Sequence, residues 1–144
     1  MTSIVIYDGE LRTVATHLQS GNSFETDAPT DNHGKGERFS PSDLVATALG
    51  SCMLTIMGMR AREMNVDLKG TKIEIQKIMR SDPRQIAGIN LTFHFPAHLI
   101  TNEKQQAILE KAAHTCPVRY SINQDIKVDV AFNWNAAEVL ANNK

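Results

Sequence analysis

With 144 residues the chain can bury a core without disulfides or structural metals, and it is read as one domain over 1–144. A formal charge of -1 and an isoelectric point near 6.5 give no electrostatic basis for a nucleic acid or an anionic membrane as partner. The first residues, MTSIVIYDGELRT, lack the basic and apolar regions of a signal peptide. The longest apolar-rich stretch, residues 44–59, is broken by Thr47, Gly50, Ser51, Thr55 and Gly58 and is short for a bilayer. A cytosolic, non-membrane protein is expected.

In chain order, residues 3–7 and 11–18 read as strands, with a turn at Asp8-Gly9. A second turn, QSGN, leads to a short strand at 23–27. APTDNHGKGERF then has the composition of an exposed loop, and it delivers the chain directly to a helix. Ser40 suits the cap, Pro41 the first helical position and Asp43 the first turn. Val45, Leu49, Cys52, Met53, Ile56 and Met59 recur at helical spacing, which predicts a buried stripe on a helix ending near Met64. The helix is apolar around much of its circumference, as if a second subunit covered it.

Residues 71–79 alternate Ile73 and Ile75 with charged side chains. In 89–95, Ile89, Leu91, Phe93 and Phe95 share one face of a strand. SDPRQIAG between these two strands reads as a hairpin connection. A second helix opens at Thr101 or Asn102, and its stripe of Ile108, Leu109, Ala112 and Ala113 extends to Cys116 at the buried C-terminal end. Pro117 stops it. A last strand, 125–134, turns Ile126, Val128, Val130, Phe132 and Trp134 inward. The order gives an α+β fold with antiparallel sheet packed on two helices.

The chain has two cysteines, Cys52 and Cys116, each on an apolar helical stripe. One reading is that they are small core hydrophobes. The other is redox chemistry, because a cytosolic disulfide is usually transient and catalytic or sensing. Zinc is disfavoured: there is no CxxC, and the five histidines form no ligand spacing, with Pro96 breaking the run between His94 and His98. A Cys-His hydrolase with His114 or His33 as base lacks an elbow or oxyanion loop. A nucleophilic Cys52 needs a cation close by, since an apolar setting raises a thiol pKa and Cys52 lies beyond the helix's first turn. Arg38, Arg12 and Arg119 are the candidates.

SPSDLVATALGSC followed far downstream by CPV resembles the OsmC/Ohr family, and the order of elements fits over nearly the whole chain. The resemblance implies an intertwined homodimer with antiparallel sheets on two central cysteine-bearing helices. It also implies a thiol-dependent peroxidase for organic hydroperoxides. Cys52 would be the peroxidatic thiolate, oxidised to a sulfenic acid, and Cys116 the resolving thiol that condenses with it. The reductant would be an external dithiol, in some members a lipoyl group, with no bound cofactor. The rival reading is a non-catalytic binding module or redox sensor that holds a hydrophobic small molecule in the dimer cleft.

Hydroperoxide-reducing members carry a Glu after Asn-Pro that holds an Arg over the reactive thiol. Here that position is Ser42, and Asp43, at about 100° per residue, lies on the helix face opposite Cys52. The turn that supplies the family's Arg reads HLQSGN, without one. Arg38 and Glu37 therefore stand in for the pair, and the chain resembles an OsmC-like branch rather than a close Ohr.

Overall fold

The structure is a computed structural model that describes residues 1–134. The described residues fall into two compact units, the first Met1–Val45 and the second beginning at Ala46.

In the first unit, β1 (Ser3–Gly9), β2 (Arg12–His17) and β3 (Ser23–Asp27) form an antiparallel sheet in that order. The first turn falls at Glu10-Leu11, not Asp8-Gly9. Both turn residues have positive φ, 54° and 61°, the backbone that a two-residue hairpin with right-handed strand twist requires. Gly9, also at positive φ, extends β1 instead and takes up a register shift after Tyr7. Successive residues of a strand face opposite sides. Ile4, Val5, Ile6 and Tyr7 are all exposed, so this sheet leaves apolar side chains uncovered on both faces.

The segment after β3 is tied down by a buried carboxylate. Asp27 accepts Arg12 Nε at 2.8 Å on one oxygen and Arg12 Nη2 at 2.9 Å on the other, and it also takes the Glu37 amide at 3.1 Å. The Gly36 amide donates to the Ala28 carbonyl at 3.2 Å, closing the loop. Gly34 sits so close to Ala28 that a Cβ there would overlap the Ala28 carbonyl. Arg12 holds the Asp27 carboxyl below the usual carboxylate range. A lowered folded-state pKa means that the anchor is complete above the unfolded value, about 3.9, and is lost as pH falls through the folded value. The amide shift of Glu37, followed by NMR, should therefore titrate with an inflection below about pH 3.9 and become flat in Asp27→Asn. An inflection at or above that value would mean that Asp27 does not anchor the loop through Arg12.

The helix α1 (Pro41–Glu63) begins as its sequence dictates. Ser40 Oγ accepts the Asp43 amide at 3.1 Å and Asp43 accepts the Ser40 amide at 3.0 Å, a reciprocal cap, with Pro41 at the first helical position. The buried stripe is Ala46, Leu49, Gly50, Met53, Met57 and Ala61, rotated from the expected one. Val45 and Met59 are exposed, and Cys52 and Ile56 lie at the edge. Apolar residues all round this helix made two stripes equally readable, and tertiary packing chose between them. Gly50 is what lets α1 approach its sheet, since a Cβ there would come within 2.5 Å of Ile75 Cδ1 and 3.3 Å of Leu91 Cδ2.

The second unit continues with β4 (Lys72–Arg80), β5 (Gln85–His94), α2 (Glu103–Ala113), α3 (Pro117–Ser121) and β6 (Lys127–Asn133). β4 and β5 are antiparallel, but β6 lies parallel to β5, which corrects the all-antiparallel expectation. The connection through α2 and α3 is a crossover that returns the chain to the start of the sheet. β5 begins four residues early, at Gln85, because Ala87 and Gly88 hide the alternation. Asn102 caps α2 with a capping box to Gln105. The core gathers Leu49, Met53 and Met57 of α1, Ile89, Leu91 and Phe93 of β5, and Leu109 and Ala113 of α2. Phe93 stacks on Phe132 at 4.9 Å, and Phe95 on Trp134 at 3.7 Å. At 23 residues and a mean hydropathy of 1.5, α1 is long and apolar enough to cross a membrane, beyond what the broken apolar stretch suggested. One stripe of it, with Leu49, Met53 and Met57, is seated in this core.

Candidate thiol site

Cys52 lies on α1, half-exposed, one residue before the buried Met53. Cys116 is not on α2, contrary to the sequence reading. That helix ends at Ala113, and Cys116 caps the short α3 with Pro117 at its first position. Proline's fixed φ and missing amide suit a helix start as well as a helix stop, and here it does the former. The cap leaves Cys116 fully buried, its sulfur accepting the Arg119 amide at 3.3 Å.

The two cysteines lie 3.6 Å apart as free thiols. Burial pushes the Cys116 thiol up, the Arg119 amide opposes this, and the neighbouring Cys52 raises it further. Cys116 therefore keeps its proton at neutral pH and can donate it toward Cys52. Around the pair the walls are apolar: Leu49, Met53, Leu109 and Ala113 belong to the same cluster. One helical turn beyond Cys52, a groove of about 490 Å³ opens between α1 and α2. Ile56, Met59, Ile108 and Ala112 line it, with Arg60, Glu63 and Lys111 at its rim.

The other expected site residues have partners within the first unit. Arg38 donates to Glu25 at 3.0 Å and to the Glu37 carbonyl at 3.0 Å. The Glu37 carboxylate takes Arg12 at 3.3 Å, so it does not hold the Arg38 guanidinium. Asp27, the acid that Arg12 grips with two bonds, was missed from sequence. Nothing in FETDAP distinguishes a buried carboxylate from a turn residue. Among the described residues, no group of three or more His, Cys, Asp and Glu forms a metal site. His114, one of the two bases considered, meets the edge of Phe132.

The family profile for OsmC-like protein matches residues 34–131. The chain belongs to the OsmC-like family. A crystal structure described as an osmotic stress induced and detoxification response protein, from Psychrobacter arcticus, is 49% identical to this OsmC-like protein. The match covers 92% of this chain and 96% of that one, with a TM-score of 0.88. The organic hydroperoxide resistance protein OsmC of Legionella pneumophila is 17% identical, covering 93% and 98% at a TM-score of 0.71. OhrB of Bacillus subtilis, an organic hydroperoxide resistance protein, is 20% identical, covering 92% and 98% at 0.62. These two share the fold. No protein with a curated description matches.

The unequal exposure of the OsmC-like thiols has a direct readout. Iodoacetamide at pH 7 is expected to alkylate Cys52 readily in Cys116→Ser, and Cys116 in Cys52→Ser at least about tenfold more slowly until denaturant is added. Equal native rates would mean that Cys116 is not enclosed.

Proposed function

We propose that this OsmC-like protein is a cysteine-based peroxidase that reduces organic hydroperoxides in the cytoplasm as part of a response to oxidative stress. The observation that carries the reading is the approach of two free thiols to 3.6 Å, one half-exposed and one enclosed. Family membership supports a stress-related redox role.

In the oxidative half, the Cys52 thiolate attacks the distal peroxide oxygen. The O–O bond breaks, the alcohol leaves with a proton, and Cys52 becomes a sulfenic acid. Cys116 then attacks that sulfur, water leaves, and the disulfide closes. An external dithiol, of lipoyl type or similar, restores both thiols, so no bound cofactor takes part. The apolar walls and the groove between α1 and α2 suit the organic part of the peroxide. The same groove is the feature that favours the second reading, a module that holds a hydrophobic small molecule. Steady-state turnover separates the two: hydroperoxide consumed in proportion to dithiol oxidised supports the peroxidase, and unchanged peroxide in the presence of saturating dithiol refutes it.

The working unit is proposed to be a homodimer. Ile6 and Tyr7, on opposite faces of β1, are 63% and 64% exposed in the single chain, and an apolar surface of this kind in a soluble protein marks an interface. Ile6→Glu is expected to shift the protein from dimer to monomer in sedimentation velocity with its circular dichroism unchanged. A wild type that sediments as a monomer would refute the dimer.

A further inference from the structure

The two sulfurs are chemically alike but differently placed. Cys116 is 0% exposed and belongs to the same core cluster as Leu109 and Ala113, whereas Cys52 reaches solvent at the edge of α1. Thiol–disulfide exchange is an in-line displacement: the entering thiolate takes one sulfur and expels the other. An approach to Cys116 would have to pass through the core. An approach to Cys52 drives the electron pair onto Cys116, where the Arg119 amide already points at the sulfur from 3.3 Å. Burial makes Cys116 a poor leaving group, and this preset donor offsets part of that cost at the atom where charge develops.

We infer that the reductant enters the oxidised site only at Cys52 and that Cys116 is the sulfur expelled first, onto the Arg119 main-chain amide. The inference rests on the two-cysteine reading above. In the first step a dithiol's thiolate bonds to Cys52 Sγ, the Cys52–Cys116 bond breaks, and Cys116 leaves as a thiolate that then takes a proton. In the second step the reductant's other thiol attacks its own sulfur in the mixed disulfide. It leaves as a cyclic disulfide and frees the Cys52 thiolate.

The test does not depend on peroxidase activity. Wild-type protein is oxidised with diamide, mixed with excess of the monothiol glutathione and quenched in acid. The freed thiol is blocked with N-ethylmaleimide and the peptides are mapped by mass. The expected product carries glutathione on Cys52 and maleimide on Cys116, in about tenfold or greater excess over the reverse. The reverse product, or an even mixture, overturns the inference and leaves the peroxidase reading intact. If diamide forms no disulfide, the inference and the two-cysteine cycle fall together. If diamide forms the disulfide and cumene hydroperoxide does not, with the adduct still on Cys52, the peroxidase reading fails and the inference stands.

Discussion

Cys116→Ser should leave a protein that still meets its first equivalent of hydroperoxide but cannot recover from the second. Without the thiol 3.6 Å away, the sulfenic acid on Cys52 has no intramolecular partner. Further peroxide then adds a second and third oxygen, and these products are not returned by dithiols. Intact mass should show the addition of two or three oxygens per chain under excess peroxide, with turnover ceasing after the first cycles. Cys52→Ser should show no oxygen added at position 52 and a loss of peroxide consumption on the order of a thousandfold or more, the usual consequence of removing a nucleophile. The pair of variants distinguishes roles: if the two behave alike, the thiols are not ordered as attacker and resolver.

Phe93→Ala is expected to produce the largest loss of stability in the chain. Phe93 is fully buried on β5, between Phe95 at 6.3 Å and Phe132 at 4.9 Å, in the same cluster as Leu49, Met53 and Leu109. Truncating such a ring forfeits its transfer energy and leaves a cavity that these neighbours can only partly close, at a cost of about 3–5 kcal/mol. Against a total of about 5–15 kcal/mol, that is a large fraction of the stability, and at the lower end of the range it leaves the variant near unfolding at room temperature. Urea denaturation followed by the fluorescence of Trp134, the single tryptophan, reports on this cluster because Trp134 stacks on Phe95. A loss below about 1 kcal/mol would mean that the aromatic stack is not the centre of the core. The same substitution should leave Cys52 alkylation in the folded fraction largely unaltered, which separates stability from chemistry.

Elements written in local chemistry were legible from sequence. Ser40-Pro41-Ser42-Asp43 is a helix start that owes little to its surroundings, and the same holds for Asn102 with Gln105. The inward faces of 89–95 and 125–134 followed from strict alternation, which has one solution once a face is buried. What could not be read was set by tertiary packing or by geometry with two local meanings. The periodicity of α1 allowed more than one buried stripe, and β5 settled which one is used. Cys116-Pro117 reads equally as the end of one helix and the cap of the next. The direction of β6 depends on how a crossover returns, information that no window of sequence holds. At the thiol site the residue types were visible and their distance was not: spacing along the chain permits two cysteines to meet but cannot require it. The charge network of Arg12, Asp27, Glu25, Glu37 and Arg38 was the least legible, because which acid takes which guanidinium is decided by the fold of one loop.

The central claim is that Cys52 and Cys116 form one redox unit that hydroperoxide oxidises by two electrons. The most direct measurement is a titration of the fully reduced protein with cumene hydroperoxide, read by intact mass and by free thiols under denaturing conditions. One equivalent should remove both thiols and about two mass units per chain, and dithiol should restore them. Wild-type protein that keeps both thiols in excess peroxide, or that gains oxygen without losing Cys116, would contradict the claim.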